Sequence, residues 1–217
     1  EFYFFIGHLG FEKTWVRKFS DAAPGVSFVS CSQGIDLLRG DEDHLPEENE
    51  SHNHRHGTDP HIWTSPENVK TIAKTICSAL SEKHPDGKEK FEKNRDAFLH
   101  TLNQLDNQIR LNLADVSRSV FLIYHPALGY YARDYHLEQF SIEFEGKSPE
   151  TAQMKTLIDR ARKESISTIF IQTQFETDKA KSIAREINAH VVPVNPLAEN
   201  WLDEMYSLTD KMKKALQ

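Results

Sequence analysis

The sequence predicts an α/β fold of two lobes, with parallel sheets flanked by helices and joined by one long rigid connecting helix. Three observations carry this. From residue 119 onward, short apolar runs alternate with amphipathic stretches, the signature of βαβ units whose strands run parallel. A helical pattern free of Pro and Gly covers 88–114; it would be roughly 40 Å long at 1.5 Å per residue, more than the width of a small lobe. Finally, 217 residues of 38% apolar and 27% charged composition suit one large globular domain or two small ones. The expected divisions are an incomplete first lobe at 1–87, the connector at 88–117 and a second lobe at 118–217.

Phe2, Tyr3, Phe4, Phe5 and Ile6 run into Gly7, which reads as a buried strand entering a turn. No initiator Met, basic leader or cleavage pattern precedes it, so something N-terminal is expected to have been removed. Phe11, Trp15, Val16 and Phe19 recur at helical spacing, and 26–29 reads as a short strand. Residues 41–58 hold almost no apolar side chain and cannot feed a core; an acidic, His-bearing loop is expected there. Five of the 11 histidines fall within 44–61.

Ser65 before Pro66 supplies an N-cap followed by Pro at the first helical position. A helix is therefore expected over 66–83, with Val69, Ile72, Ile76 and Leu80 facing inward. The long helix follows Pro85, Asp86 and Gly87, carrying Phe91, Phe98, Leu102, Leu105, Ile109 and Leu113 at threes and fours. Beyond it, strands are expected at 120–124, 139–143, 168–172 and 191–194. Helices are expected at 127–135, 149–163, 177–188 and 201–216, the second with Met154, Leu157, Ile158 and Ala161 inward.

The formal charge of −7 argues against nucleic acid, whose binding depends on Lys and Arg neutralising phosphates. No apolar run approaches the roughly 20 residues of a membrane span. Cys31 and Cys77 are too few for a disulfide framework and too far apart for a metal clip; free thiols and one disulfide both remain open. The common motifs for zinc proteolysis, serine hydrolysis and nucleotide binding are missing.

Ligands of open α/β sheets bind beyond the carboxyl ends of the strands. That rule singles out His125 after the strand at 120–124, Asn195 after the last strand, Gln172 and Gln174 after another, His8 after the first, and His61 on the loop before the helix at 66. Imidazole nitrogens in such places suit a transition metal such as Zn, Cu or Ni, not an oxygen-only calcium or magnesium cage. Glu143 and Glu145 could form an acid/base pair, but that spacing is more often one of ordinary strand-end charges, and His84, His100, His136 and His190 read as core or capping histidines.

The run His56, Gly57, Thr58, Asp59, Pro60, His61, Ile62, Trp63, Thr64, Ser65, Pro66 resembles the helix-start motif of metal-binding solute-binding proteins of ABC importers. It is most similar to the zinc-uptake branch, whose members carry an acidic, His-rich loop immediately before that motif. Tyr124, His125, Pro126, Ala127, Leu128, Gly129, Tyr130, Tyr131 and Ala132 match as well. So do Ser148 and Pro149 after Glu145, the stretch from Ile169 to Gln174, and Asn195, Pro196 and Leu197, in order and spacing over essentially the whole chain.

The resemblance implies a metal clamped between two lobes, with His61 and His125 at family ligand positions. Each imidazole is expected to be oriented by a hydrogen bond at its other ring nitrogen. The family's first ligand His lies upstream of this chain, and its carboxylate before Pro-Leu is here Asn195. That exchange counts against Mn2+ and modestly for Zn2+. His8 and Asn195 are secondary candidates, and His44, His52, His54 and His56 would form a metal-capture loop. The resemblance further implies an ABC permease as partner, a monomer, no enzymatic activity, and a periplasmic or membrane-anchored extracytoplasmic location. A manganese importer component, a zinc-dependent hydrolase and a cell-surface adhesion module are the rival readings.

Overall fold

The computed structural model describes residues 1–40, 57–143, 151–175 and 177–217. His44, His52, His54, His56, Glu145, Ser148 and Pro149 lie outside the described residues. The chain divides into two compact units. One comprises Glu1–Gly40 and Gly57–Asp106, and the described part of the other begins at Asn107 and ends at Gln217. Both contain parallel strands flanked by helices, and the long helix is present.

In the first unit, β1 (Phe2–Phe5) leads through Gly7 into α1 (Gly10–Ala22), and β2 (Ser27–Ser30) follows. The two strands pair in parallel, with Phe2 opposite Ser27 and Phe5 opposite Ser30. Gly7 has φ +90°, a conformation available to glycine at little cost. The β1–α1 turn closes on Glu12, whose carboxylate accepts from the backbone N–H groups of Ile6 (2.9 Å), Gly7 (2.7 Å) and Leu9 (3.3 Å).

This anchor sets which way α1 faces. Glu12 is only 6% exposed, whereas Phe11, Trp15 and Phe19 are 53%, 47% and 40% exposed. The carboxylate collects two backbone donors of the β1–α1 turn and the N-cap N–H of Leu9, and α1 turns Glu12 and Val16 inward and the aromatic stripe outward. Trp15 and Phe19 stack at 6.0 Å, and the Lys18 ammonium lies 4.5 Å over the Trp15 ring. β1 is likewise half-buried, not buried as its composition suggests.

A single 3-10 turn, Ile62–Thr64, precedes α2 (Pro66–Lys83), and another, Pro85–Gly87, precedes α3 (Lys88–Leu113). The Ser65 cap forms as expected, its hydroxyl accepting from the Asn68 N–H at 3.0 Å. The α2 stripe is only half-buried: Val69, Ile72, Ile76 and Leu80 line an open apolar groove of about 300 Å³ with Phe91 and Phe98 of α3. Further along α3, Leu102, Leu105 and Ile109 are fully buried. The unit boundary falls inside this helix, after Asp106. Cys31 and Cys77 are free and buried.

The second unit alternates strand and helix as predicted. β3 (Val120–Ile123), α4 (Gly129–Asp134), β4 (Glu138–Ser141), α5 (Thr151–Lys163), β5 (Thr168–Gln172), α6 (Thr177–Ile187), β6 (His190–Val194) and α7 (Trp201–Leu216) follow in order. The sheet runs β4-β3-β5-β6, and every pair is parallel. Such sheets are covered on both faces, and the strands show it. Leu122, Phe140, Ile169 and Ile171 pack with Leu157 and Ala161 of α5 and Ala180, Ile183 and Ala184 of α6. Phe121, Ile123 and Phe170, on the alternate face, are buried as well. There the Tyr131 hydroxyl of α4 meets the Thr209 hydroxyl of α7 at 3.1 Å, and burial pushes the Tyr131 phenol above its ordinary pKa. Chain order reverses at β3, which is flanked by β4 on one side and β5 on the other. That reversal puts a ligand crevice at the carboxyl ends of β3 and β5.

Candidate metal centre

His61 lies in a turn built from its own neighbours. Arg39 and Thr58 form an antiparallel bridge, and the Asp59 N–H donates to the Leu38 carbonyl at 3.0 Å. Asp59 is 8% exposed. Its Oδ1 accepts the His61 backbone N–H at 2.8 Å and lies 2.7 Å from His61 Nδ1. The Thr64 hydroxyl donates to the His61 carbonyl at 2.9 Å, and the Asn68 amide donates to the Ile62 carbonyl at 3.1 Å. These bonds tie the turn to the first residues of α2. The Trp63 ring meets the imidazole edge-on at 5.5 Å.

His125 is held from several elements. It follows β3, and its backbone is bracketed by the buried Gln172 at the end of β5. The His125 N–H donates to Gln172 Oε1 at 3.3 Å, while Gln172 Nε2 donates to the His125 carbonyl at 2.6 Å. Its Nδ1 lies 2.8 Å from Glu143 Oε2, just beyond β4. Phe175 stacks on the ring at 5.2 Å and 23°. His125 thus follows the carboxyl end of β3, and the observed sheet order makes that position a switch point.

The two secondary candidates sit differently. Asn195 Oδ1 accepts from Gln174 Nε2 at 2.7 Å, and the Asn195 N–H donates to Glu204 Oε1 at 2.8 Å. His8 is half-buried; burial and then the Lys13 ammonium lower its pKa. Among the described residues, no group of three or more His, Cys, Asp and Glu side chains is arranged to hold a metal ion.

The two carboxylates do not stand out in the sequence. Glu143 looked like an ordinary strand-end charge, and Asp59 like part of a motif with no stated task. For Asp59 a local signal existed, since an Asx side chain commonly bonds the backbone two residues on. For Glu143 none did, because its partner lies 18 residues away across a strand pair.

One unit carries an imidazole at the switch point of a parallel sheet and the other an imidazole at a helix start, and nitrogen donors of this kind belong to the chemistry of ligand-binding proteins for transition-metal ions. Comparison with known proteins narrows that class. Residues 2–215 match the family model "Zinc-uptake complex component A periplasmic", ZnuA. The chain is 30% identical to the high-affinity zinc uptake system protein ZnuA of Bacillus subtilis, over 98% of this chain and 69% of that protein. It is also 30% identical to the zinc-binding protein AdcA of Streptococcus pyogenes, over 94% of this chain but only 41% of that longer protein. A crystal structure of a ZnuA deletion mutant with zinc bound superimposes with a TM-score of 0.88 at 35% identity, covering 100% of this chain and 79% of that one. The chain belongs to the ZnuA family of substrate-binding proteins of transporters.

Proposed function

We propose that this chain binds Zn2+ outside the cytoplasm and delivers it to the membrane permease of an ABC importer, with His61 and His125 as metal ligands. The observation that carries the reading is the shared setting of these imidazoles, each with Nδ1 within hydrogen-bond distance of a carboxylate, the arrangement that orients ligating histidines in metal proteins. Membership of the ZnuA family and the zinc named in its relatives support the cargo. Asn195, an uncharged amide whose oxygen accepts from Gln174, favours zinc over manganese, which prefers oxygen donors. The acidic segment 41–58, with His44, His52, His54 and His56, gathers additional weakly held zinc. The chain acts as a monomeric carrier and has no catalytic turnover. Among the described residues no helix is long and apolar enough to cross a membrane.

Zinc calorimetry on the parent, with manganese as competitor, tests the reading. One tight, zinc-preferring equivalent is expected, lost in His61→Ala and in His125→Ala. Affinity should fall on acidification, since a protonated imidazole cannot coordinate. Unchanged affinity in both variants would overturn the ligand assignment. His8→Ala and Asn195→Ala test the two secondary positions by the same measurement. Deleting 44–56 should remove weak equivalents and spare the tight one.

A further inference from the structure

We infer that Asp59 and Glu143 are positioning residues that fix the coordinating atom of each imidazole as Nε2, by holding the ring proton on Nδ1. The inference rests on His61 and His125 being zinc ligands. An ionised carboxylate can only accept a hydrogen bond. At 2.7 Å from Asp59 Oδ1 and 2.8 Å from Glu143 Oε2, Nδ1 of each neutral ring must therefore be the donor, and the lone pair left for a metal is on Nε2. The rings are held in plane as well as in tautomer. Trp63 abuts His61 edge-on at 5.5 Å, and Phe175 stacks on His125 at 5.2 Å. Asp59 also accepts the His61 backbone N–H with the same oxygen, so ring and main chain are oriented as one body. On the other side that work is divided, with Glu143 on the ring and Gln172 on the backbone. Both carboxylates are largely shielded, their side chains 9% and 11% exposed, which strengthens the hydrogen bonds they accept.

The test pairs two measurements on Asp59→Ala, Asp59→Asn, Glu143→Ala and Glu143→Gln. The first is zinc affinity by chelator competition; the second is the ring tautomer of the metal-free chain at pH 8, from long-range 1H–15N correlation. In the parent, both rings should show protonated Nδ1. Each Ala variant should weaken zinc by about 10- to 100-fold and shift only its own histidine toward the Nε2-protonated form, the other ring serving as a control for folding. The Asn and Gln variants keep an oxygen acceptor and should recover most of the affinity and the Nδ1–H form. A parent with Nε2–H rings would overturn the assignment, as would Ala variants that lose affinity with no change of tautomer. A parent with Nδ1–H rings but no tight zinc site would instead remove the zinc reading and leave the two carboxylate–imidazole bonds standing.

Discussion

The His61 and His125 settings reach the same local arrangement by opposite routes. Asp59 and His61 are two residues apart, and the turn that joins them is stitched by Asp59, Thr64 and Asn68 into the start of α2. His125 and Glu143 are 18 residues apart and meet because β3 and β4 pair in parallel, with Ile123 opposite Ser141. One device is written into a short peptide; the other exists only once a sheet has formed. Local geometry is cheap in chain entropy but depends on each bond in the turn. The sheet-borne device rests on a buried core.

Substitutions can break or sharpen this contrast. The largest effect is expected from the double variant His61→Ala/His125→Ala, which should abolish tight zinc in calorimetry; a surviving tight equivalent would show that neither setting serves the metal. Next, Asp59→Ala should cost about 2–3 kcal/mol of stability in urea unfolding, since it orphans both a ring and a backbone donor. Glu143→Ala should cost about 1 kcal/mol, because it orphans only the ring donor. Equal losses would erase the distinction between the two routes. Ser65→Ala removes the α2 cap and should cost about 1 kcal/mol. That change should lower zinc affinity through the His61 turn and leave the His125 ring signals unmoved.

His8 provides the smallest effect and a contrast to both. Its pKa in the folded chain is lowered from 6.5 by burial and by Lys13, so the unfolded chain takes up the proton first. Its contribution to stability is therefore complete above about 6.5 and is lost as pH falls from there toward the folded value. His8→Asn should flatten the pH dependence of unfolding in that window; an unchanged profile would show that His8 is not the group responsible.

Much of the fold was legible in the sequence because period and punctuation agree. The boundaries of α2, β5 and α7 follow from Ser65-Pro66, from the apolar run Ile169–Ile171 between polar ends, and from the 201–216 stripe. The aromatic line of α1 marks the helix but not its facing, since helical spacing specifies a face but not which way it turns, and Glu12 decides that through three backbone N–H groups. The ligand candidates His61 and His125 were visible from their motifs and strand-end position. Their carboxylates were not equally so: Asp59 could have been found from its spacing, whereas Glu143 required the strand order.

The edge contact between Trp63 and His61 at 5.5 Å also makes the chain optically self-reporting. An indole against an imidazole changes its emission when that imidazole is protonated or bound to a metal, whereas His125 is stacked on Phe175, which is dark at indole excitation wavelengths. With Trp15 and Trp201 replaced by Phe, the remaining fluorescence would come from the indole that abuts His61. Loading could then be timed at that histidine without attaching any dye.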